Sequence, residues 1–226
     1  MWVRAAASTL EQLQEIAARG GGDGDESAEG QLPLKLLAGA PLAAASELME
    51  RYDARLGGFG AAPKFPRPSE INALLAAAQQ ARLSGDASKG EELLGAALHT
   101  LRAYAAGGMY DHLGGGFHRY SVDAHLHVPH VSAFSGLGGQ AFEKMLYDNP
   151  QLVSTYLDAI AADAAAAAPL PAPAGAPAGA PHAGDGPRGG GGGSGAAEWG
   201  VFAVRGVLDY LLRDMRHPQG GFFSAE

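Results

Sequence analysis

The segment 107–130 carries most of the residues in this chain that could do chemistry. It combines glycines with tyrosine, arginine and aspartate, and five of the eight histidines fall within the nineteen residues from His112 to His130. Glycine lets backbone pass close to a ligand, and the other side chains supply the polar and flat groups that small-molecule recognition needs. Because functional residues concentrate on loops held by a rigid frame, the segment predicts a site. The alternative is a tightly packed loop whose polar groups satisfy one another.

Two kinds of catalysis are open to these residues. Hydrolysis of a glycosidic bond needs two carboxyl groups about 5–10 Å apart, one protonated and one ionised, and four acids could supply them: Asp111, Asp123, Glu143 and Asp148. Epimerisation or isomerisation would instead use an imidazole, whose free pKa of about 6.5 suits proton removal and return near neutral pH. His112, His118, His127 and His130 are the candidates, and His118 is the one we place among the catalytic residues. The alternatives are an N-cap or ion pair for each acid, and a loop-bracing hydrogen bond for each histidine.

A second set of residues is predicted to bind the ligand rather than to react with it. Arginine forks bind hydroxyls or carboxylates, and aromatic faces cover the apolar surface of sugars, which suits a carbohydrate. The set is His112, Arg119, Tyr120, His127, His130, Lys144 and Tyr147. His125, His127 and His130 could also ligate zinc, but no carboxylate lies at a helical spacing that would present it beside them. We therefore predict no metal and no cofactor.

Composition excludes several classes of function. With 226 residues, of which 46% are apolar, the chain can bury a real core, and no run of eighteen apolar residues predicts a membrane span. The net charge of -8 argues against a nucleic-acid partner. Zero cysteines exclude disulfides, thiol catalysis and cysteine-ligated zinc. The N-terminus lacks the apolar core of a secretory signal, so we expect a cytoplasmic protein.

Helical periodicity dominates the chain and predicts an all-α frame. Apolar residues recur at helical spacing from Pro41 to Leu56, from Ser69 onward, from about Ser88 to Ala106, from Asn149 onward and from about Glu198 to Arg216. Residues 163–197 are mostly alanine, proline and glycine, a composition that predicts disorder. The predicted organisation is an N-terminal helix and acidic, glycine-rich linker (1–40), a first helical part (41–162), the low-complexity insert (163–197) and a further helix with its loop (198–226).

A Gly-Gly-Phe triplet recurs near the ends of predicted helices, at 57–59, 115–117 and 220–222. The first two lie 58 residues apart and the next two 105. Without the 35-residue low-complexity insert and the eleven residues 131–141, the second interval becomes 59. Helical hairpins repeated at this spacing predict a partial (α/α)6 toroid with its glycine-rich loops on one rim. The three phenylalanines are then expected to pack in the seams between hairpins.

Four motifs give the chain a resemblance to a known family. They are GGFGAAPKFPRP at 57–68, GGMYDHLGGGFHRYSVD at 107–123, FEKMLYDN at 142–149 and GGFFSAE at 220–226. In this order they resemble the spermatogenesis-associated protein 20 family. The resemblance implies a thioredoxin-like domain followed by a toroid similar to six-hairpin glycosidases and N-acylglucosamine 2-epimerases. It covers roughly residues 45–160 and 198–226.

The chain departs from the family pattern in ways that limit what the resemblance implies. It has no thioredoxin-like domain and no cysteine, and Val131–Ala141 and the low-complexity insert interrupt the pattern. We interpret it as part of the toroid. Two functions remain open: action on, or binding of, a carbohydrate-like small molecule, and a non-catalytic interaction or redox-accessory role. A carboxyl pair opposed across an open pocket would favour the first, and a rim filled by its own side chains the second.

Overall fold

The computed structural model describes residues 34–133, 140–168 and 195–225. The chain divides into two units, Met1–Gly39 and Ala40–Glu226, and the site lies in the second. The α-helices within these ranges are α1 (Leu34–Arg51), α2 (Pro68–Leu83), α3 (Ala87–Ala106), α4 (Asn149–Ala167) and α5 (Ala196–Tyr210). A π-helical turn, Leu211–Met215, follows α5, and two short strands are β1 (Val131–Ala133) and β2 (Gln140–Phe142). In these described ranges no helix is long and apolar enough to cross a membrane.

Local sequence explains where the central helices begin and end. Proline opens α2 at Pro68, where its missing N–H costs no helical hydrogen bond. Asp86 caps α3 by accepting a hydrogen bond from the Lys89 N–H at 3.0 Å, and the Gly107 N–H closes the same helix on Ala103. Both helices bury one apolar stripe, as their periodicity predicts.

The helices pack as two hairpins that stand side by side. α2 packs against α3 and α4 against α5, while α2 also contacts α4 and α3 contacts α5. Three tyrosines lie fully inside the core: Tyr104, Tyr156 and Tyr210. The predicted all-α fold of helical hairpins is confirmed, and the pairing of alternate helices is that of neighbouring hairpins in an α/α toroid.

Several boundaries differ from the prediction. α1 ends at Arg51 and contains Pro41 in its interior, whereas proline's preference for the first turn predicted a start there. Asn149 is not the N-cap of α4, because its side chain binds the backbone of Phe117 instead. Residues 163–167, Asp163 followed by four alanines, continue α4 and do not belong to the insert.

Other sequence predictions fall partly outside the described residues. The predicted N-terminal helix, the glycine-rich linker up to residue 33 and the insert from 169 to 194 all lie outside them. In the segment that interrupts the family pattern, β1 and β2 pair antiparallel, with Val131 opposite Phe142. This two-stranded pair is a small addition to the helical frame.

Candidate functional site

Three loops of one design follow α1, α3 and the π-helical turn. Loop 1 (52–59), loop 2 (110–117) and loop 3 (216–222) each close with a single β-bridge between their first and last residues. In each loop both glycines of the Gly-Gly-Phe triplet have φ between +76° and +101°. This left-handed conformation is open to glycine at little cost, which explains why the triplet marks the loops in the sequence.

A buried lysine ties each of the first two loops together. Lys64 Nζ donates to Asp53 Oδ2 and to the carbonyl of Gly57, both at 2.7 Å. Lys144 repeats the arrangement with Asp111 Oδ2 at 2.8 Å and the carbonyl of Gly115 at 3.0 Å. Each aspartate also accepts two backbone N–H bonds through its Oδ1 atom. These lysine clamps are therefore structural elements of the fold.

The loops are joined to one another in a row. Lys64 exchanges backbone hydrogen bonds with Ser121, just beyond loop 2, at 2.9 and 2.8 Å. The Leu146 N–H binds the Ser224 carbonyl, just beyond loop 3, at 2.9 Å. Arg213 donates to the Gly114 carbonyl of loop 2 at 2.6 Å. Glycine-rich turns that are distant in the sequence therefore share one rim.

The recurring phenylalanines do not all pack alike. Phe59 and Phe117 are buried in the seams between helices, as predicted. Phe222 is 49% exposed, so the packing prediction is wrong for the third repeat. Loop 3 has four residues before its two glycines, whereas loops 1 and 2 each have five, and His217 stands where the other loops carry aspartate.

Asp111 and Asp123, predicted as catalytic acids, hold loop backbone. Burial works against the charge of Asp111, but Lys144 and the N–H groups of Leu113 and Gly114 keep its pKa well below the usual range. Burial likewise opposes the charge of Asp123, while the Ser121 hydroxyl and three backbone N–H groups lower its pKa to about 2. Both carboxyls are ionised and internally hydrogen-bonded, so neither has the environment of a proton donor.

Asp123 organises a turn that fits closely over the end of α3. Its carboxylate accepts hydrogen bonds from the N–H groups of His125, His127 and Val128 at 2.8–3.0 Å. Leu126, at the centre of this turn, is buried and has φ +63°, a conformation that L-residues rarely adopt. The Gly108 N–H binds the Leu126 carbonyl at 2.7 Å, which ties the turn to the helix end.

The histidines occupy different environments. His118 is buried, and desolvation, followed by the charge of Lys144, lowers its pKa to about 4, so the ring is neutral at pH 7. His112 Nε2 lies 3.1 Å from the Gly107 carbonyl, a loop-bracing contact. The exposed rings of His125 and His127 have centroids 5.9 Å apart. The catalytic role of His118 stays a prediction, and it would have to act as an uncharged imidazole.

Three flat side chains stack at the rim beside loop 2. Tyr120 lies between Phe65 and His130, with ring centroids 4.7 and 4.3 Å from its own. The His130 N–H binds the Tyr120 carbonyl at 2.9 Å, and Phe65 is partly exposed. Of the predicted ligand-binding residues, Tyr120 and His130 are thus brought into direct contact.

A charged group adjoins this aromatic stack. Arg119 Nη1 donates to Glu143 Oε2 at 2.9 Å, and the same oxygen lies 4.0 Å from His130 Nδ1. The pKa of Arg119 is raised, first by this hydrogen bond and then by Tyr147. Burial raises the pKa of Asp148 to about 6, although Arg119 acts in the opposite direction. Among the five predicted catalytic residues, Asp148 is the one that combines partial burial with a pKa near neutrality.

We call these seven residues the rim cluster: Phe65, Arg119, Tyr120, His130, Glu143, Tyr147 and Asp148. A groove of about 660 Å³ lies elsewhere, between α2 and α4, and its lining includes several alanines together with Arg82 and Asp158. None of the predicted site residues lines it. We place the candidate site at the rim cluster, because its side chains offer both stacking and charged hydrogen bonds, whereas the groove offers mostly apolar walls.

Sequence reasoning missed several residues of the rim. The contact of Asp53 with Lys64 could have been predicted from a longer repeat than the glycine triplet. The pattern Tyr-Asp, three residues and Gly-Gly-Phe occurs both at 52–59 and at 110–117. Asn149 brackets Phe117 by accepting its N–H at 2.7 Å and donating to its carbonyl at 3.0 Å. No sequence pattern identifies that contact, because it joins residues 32 positions apart.

A contact between loop 1 and α3 likewise joins residues that no sequence pattern connects. Tyr52 Oη lies 2.6 Å from His99 Nδ1, with the two rings edge to face. Burial, and then the charge of Asp53, raises the pKa of Tyr52, so its hydroxyl keeps its proton. His99 was predicted only as part of a helix.

Comparison with known proteins gives consistent relatives. No protein-family model matches the chain. Over 180 residues, 80% of its length, the chain is 36% identical to spermatogenesis-associated protein 20 of mouse, and the same figures hold for the human protein. It spans 17% of the length of each of these relatives. It is also 41% identical over 113 residues to an uncharacterized protein of Caenorhabditis elegans. The matched region covers 50% of this chain and 14% of the worm protein.

Proposed function

The chain belongs to the spermatogenesis-associated protein 20 family, and we propose that its rim cluster binds a carbohydrate-like small molecule. The observation that carries the proposal is the aromatic stack of Phe65, Tyr120 and His130 next to the Arg119–Glu143 ion pair. An aromatic face covers the apolar side of a sugar ring, and charged side chains bind its hydroxyl groups. The combination suits a small polyhydroxy molecule better than an apolar one.

The rim cluster also holds two acids in different surroundings. Glu143 forms an ion pair with Arg119, while burial raises the pKa of Asp148 to about 6. An acid kept protonated beside an ionised one is the arrangement that glycoside hydrolysis requires. In this proposal Asp148 would donate the proton and Glu143 would act as base or stabilise charge.

A non-catalytic interaction role is the second candidate, and a different observation favours it. Asp111, Asp123 and Lys144 are engaged in hydrogen bonds within the rim, so most of the predicted polar residues already have protein partners. A rim filled by its own side chains presents a fixed surface rather than an open reaction site. This role would need no carboxyl pair at all.

Titration calorimetry of the purified chain separates the two candidates. D-Glucose, N-acetylglucosamine and glucose 6-phosphate are suitable probes. Arg119→Met and Tyr120→Ala should each weaken binding of whichever probe binds by at least about tenfold, since a hydrogen bond to a charged group contributes roughly 1.5–3 kcal/mol. The matched control is Phe223→Ala, which removes an exposed ring that contacts His217 near loop 3.

The binding results distinguish the carbohydrate-binding role from the interaction role. Loss of binding in both rim variants with normal binding in the Phe223 variant supports a ligand site at the rim cluster. If no probe binds the wild-type chain even at millimolar concentration, the carbohydrate proposal fails and the interaction role is favoured. The catalytic role of Asp148 is tested with the Asp148→Asn variant. If this variant binds a probe with unchanged affinity and still hydrolyses a glycoside, Asp148 is not the proton donor.

A further inference from the structure

Loop 1 packs against α3, the second helix of the hairpin that follows it. A Cβ atom added to Gly57 would lie 2.9 Å from Ala103 Cβ and 3.3 Å from the Cα atom of Thr100. The Gly58 N–H donates to Thr100 Oγ1 at 3.1 Å, and a Cβ atom on Gly58 would lie 3.4 Å from Tyr104 Oη. α3 thus presents to loop 1 a small residue and, four positions later, a tyrosine.

Loop 2 repeats this packing on α5, the second helix of the next hairpin. A Cβ atom added to Gly115 would overlap the carbonyl of Gly206, and one added to Gly116 would lie 2.7 Å from the ring of Tyr210. Residues four apart lie on one face of a helix, so a single face contacts both glycines of the loop. Each of the two loops is therefore covered by a helix with the same pair, a small residue and then a tyrosine four positions on.

Loop 3 has the same backbone but lacks a covering helix. Gly220 and Gly221 have φ angles of +101° and +79°, and no atom of the described residues lies within 4 Å of a Cβ atom added to either glycine. Phe222 is 49% exposed, whereas Phe59 and Phe117 are buried. The surface that loops 1 and 2 use to bind a helix is therefore present and open in loop 3.

The position of loop 3 in the frame is the same as that of the other loops. The Leu146 N–H binds the Ser224 carbonyl, which joins the segments that follow loops 2 and 3. The equivalent bonds, between Lys64 and Ser121, join the segments that follow loops 1 and 2. Loop 3 thus continues the row of loops, and its open surface faces the place that the next helix of the repeat would occupy.

We propose that loop 3 binds an α-helix that carries a small residue and, four residues later, a tyrosine, and that a further helical hairpin of a family member supplies this helix. The small residue would lie against Gly220 and the tyrosine against Gly221, and the helix would cover Phe222. Glycine allows the close approach of backbone that this contact requires. The relatives have the length to supply such a hairpin, because this chain spans 17% of them.

A second copy of this chain is a poor occupant of loop 3. In the described part of the chain, the helices with such a pair are α3, with Thr100 and Tyr104, and α5, with Gly206 and Tyr210. Both pairs already lie against loops 1 and 2 of their own chain. Binding of a second copy would require one of these contacts to open.

Disulfide capture of a synthetic peptide by the full chain tests the proposal. The peptide has the sequence of α3, Ala87–Ala106, and the chain has no cysteine of its own. Gly220→Cys in the chain and Ala103→Cys in the peptide reproduce the contact of Gly57 with Ala103. A disulfide holds its two Cβ atoms about 3.5–4.5 Å apart, so a shift of about 1 Å from the 2.9 Å contact allows the bond.

The mixed disulfide, measured by intact mass in a glutathione buffer, should form at least about tenfold more readily at Gly220→Cys than at Gly85→Cys, because docking raises the effective concentration of the peptide thiol. Gly85 is the matched control, since its φ is +91° and a Cβ atom there also meets no described atom within 4 Å. Gln219→Cys keeps both glycines and gives a second attachment point if Gly220→Cys lowers the unfolding midpoint.

A peptide with Tyr104→Ala should lose this preference, because no ring would cover Gly221. Alanine is the best helix former, so the loss could not be assigned to a less helical peptide. Equal capture at Gly220 and Gly85 would overturn the proposal, as would a preference that persists without the tyrosine. Preferential linkage of two Gly220→Cys chains in the presence of the peptide would show that a second copy occupies loop 3 instead.

Discussion

Replacing Lys144 with methionine tests whether the lysine clamp of loop 2 holds the rim together. Methionine keeps most of the aliphatic stem but removes the ammonium group. The change breaks the 2.8 Å bond to Asp111 and the 3.0 Å bond to Gly115, and it removes the cation that lies 4.4 Å from the Tyr210 ring centroid. The Asp111 carboxylate would stay in place without its counter-ion.

The structure sets the magnitude of the expected loss. Removing one partner of a buried ion pair typically costs about 3–5 kcal/mol. The Lys144 side chain is 8% exposed, but that of Asp111 is 27% exposed and keeps two backbone N–H donors. We therefore expect the free energy of unfolding to fall by about 2–3 kcal/mol, near or below the lower end of that range.

Urea denaturation followed by circular dichroism measures this loss, and the chain supplies a matched control. Lys89 forms an ion pair with Glu92 at 2.9 Å, but both side chains are well exposed to solvent. Lys89→Met should change the free energy of unfolding by no more than about 0.5 kcal/mol. If Lys144→Met costs no more than Lys89→Met, the clamp does not stabilise the rim and our account of Asp111 is wrong.

The effect of Lys144→Met should also depend on pH in a defined direction. The folded-state pKa of Asp111 is depressed, so its contribution is fully present above the unfolded pKa of about 3.9 and is lost as the pH falls toward the folded value. The stability difference between wild type and variant should therefore narrow in acid. A difference that grew on acidification would contradict the assignment of the pair.

Two further changes probe other parts of the rim. Asp148→Asn should raise the free energy of unfolding by about 1–3 kcal/mol at pH 7–8, because folding raises the pKa of Asp148 from 3.8 to about 6. The stabilising effect should vanish below pH 4, where Asp148 is protonated in both the folded and the unfolded state. Urea denaturation across this pH range checks the prediction, and a variant that is no more stable than wild type at pH 8 refutes it. Gly108→Ala should lower the free energy of unfolding by at least about 1–3 kcal/mol, because the added Cβ would overlap the carbonyl of His127. Gly95→Ala, on an open helix surface, should instead raise it by about 0.5–1 kcal/mol. Thermal melting of both variants measures the difference. Equal effects at the two glycines would contradict the close fit of the turn over α3.

Periodicity and loop chemistry in the sequence predicted most of the helical frame. The apolar stripes of α2 and α3 follow from local spacing, and the Gly-Gly-Phe triplets identify three loops because the positive φ angles favour glycine. Boundaries were less well predicted where a rule has exceptions. Proline opens α2 at Pro68, as the rule states, yet Pro41 lies inside α1.

The roles of the polar residues depended on contacts that no spacing encodes. Asp111 and Asp148 are both aspartates near a helix end, but the first lies against Lys144, 33 positions away, and the second is partly buried near Arg119. Opposite pKa shifts follow from these surroundings. A sequence gives the type of an ionisable group, whereas its proton affinity is set by neighbours that only the fold brings close.

The sequence by itself thus determined the all-helical class, the repeat and the position of the loops, since backbone conformation and apolar periodicity are local properties. Tertiary structure alone decided which rim residues hydrogen-bond to the loops and which contact one another instead. The stacked rings of Phe65, Tyr120 and His130 belong to the second group. The physical reason is that burial and charge pairing arise between segments distant in the chain. The same amino acid is therefore a structural clamp in one loop and a candidate acid at the next helix.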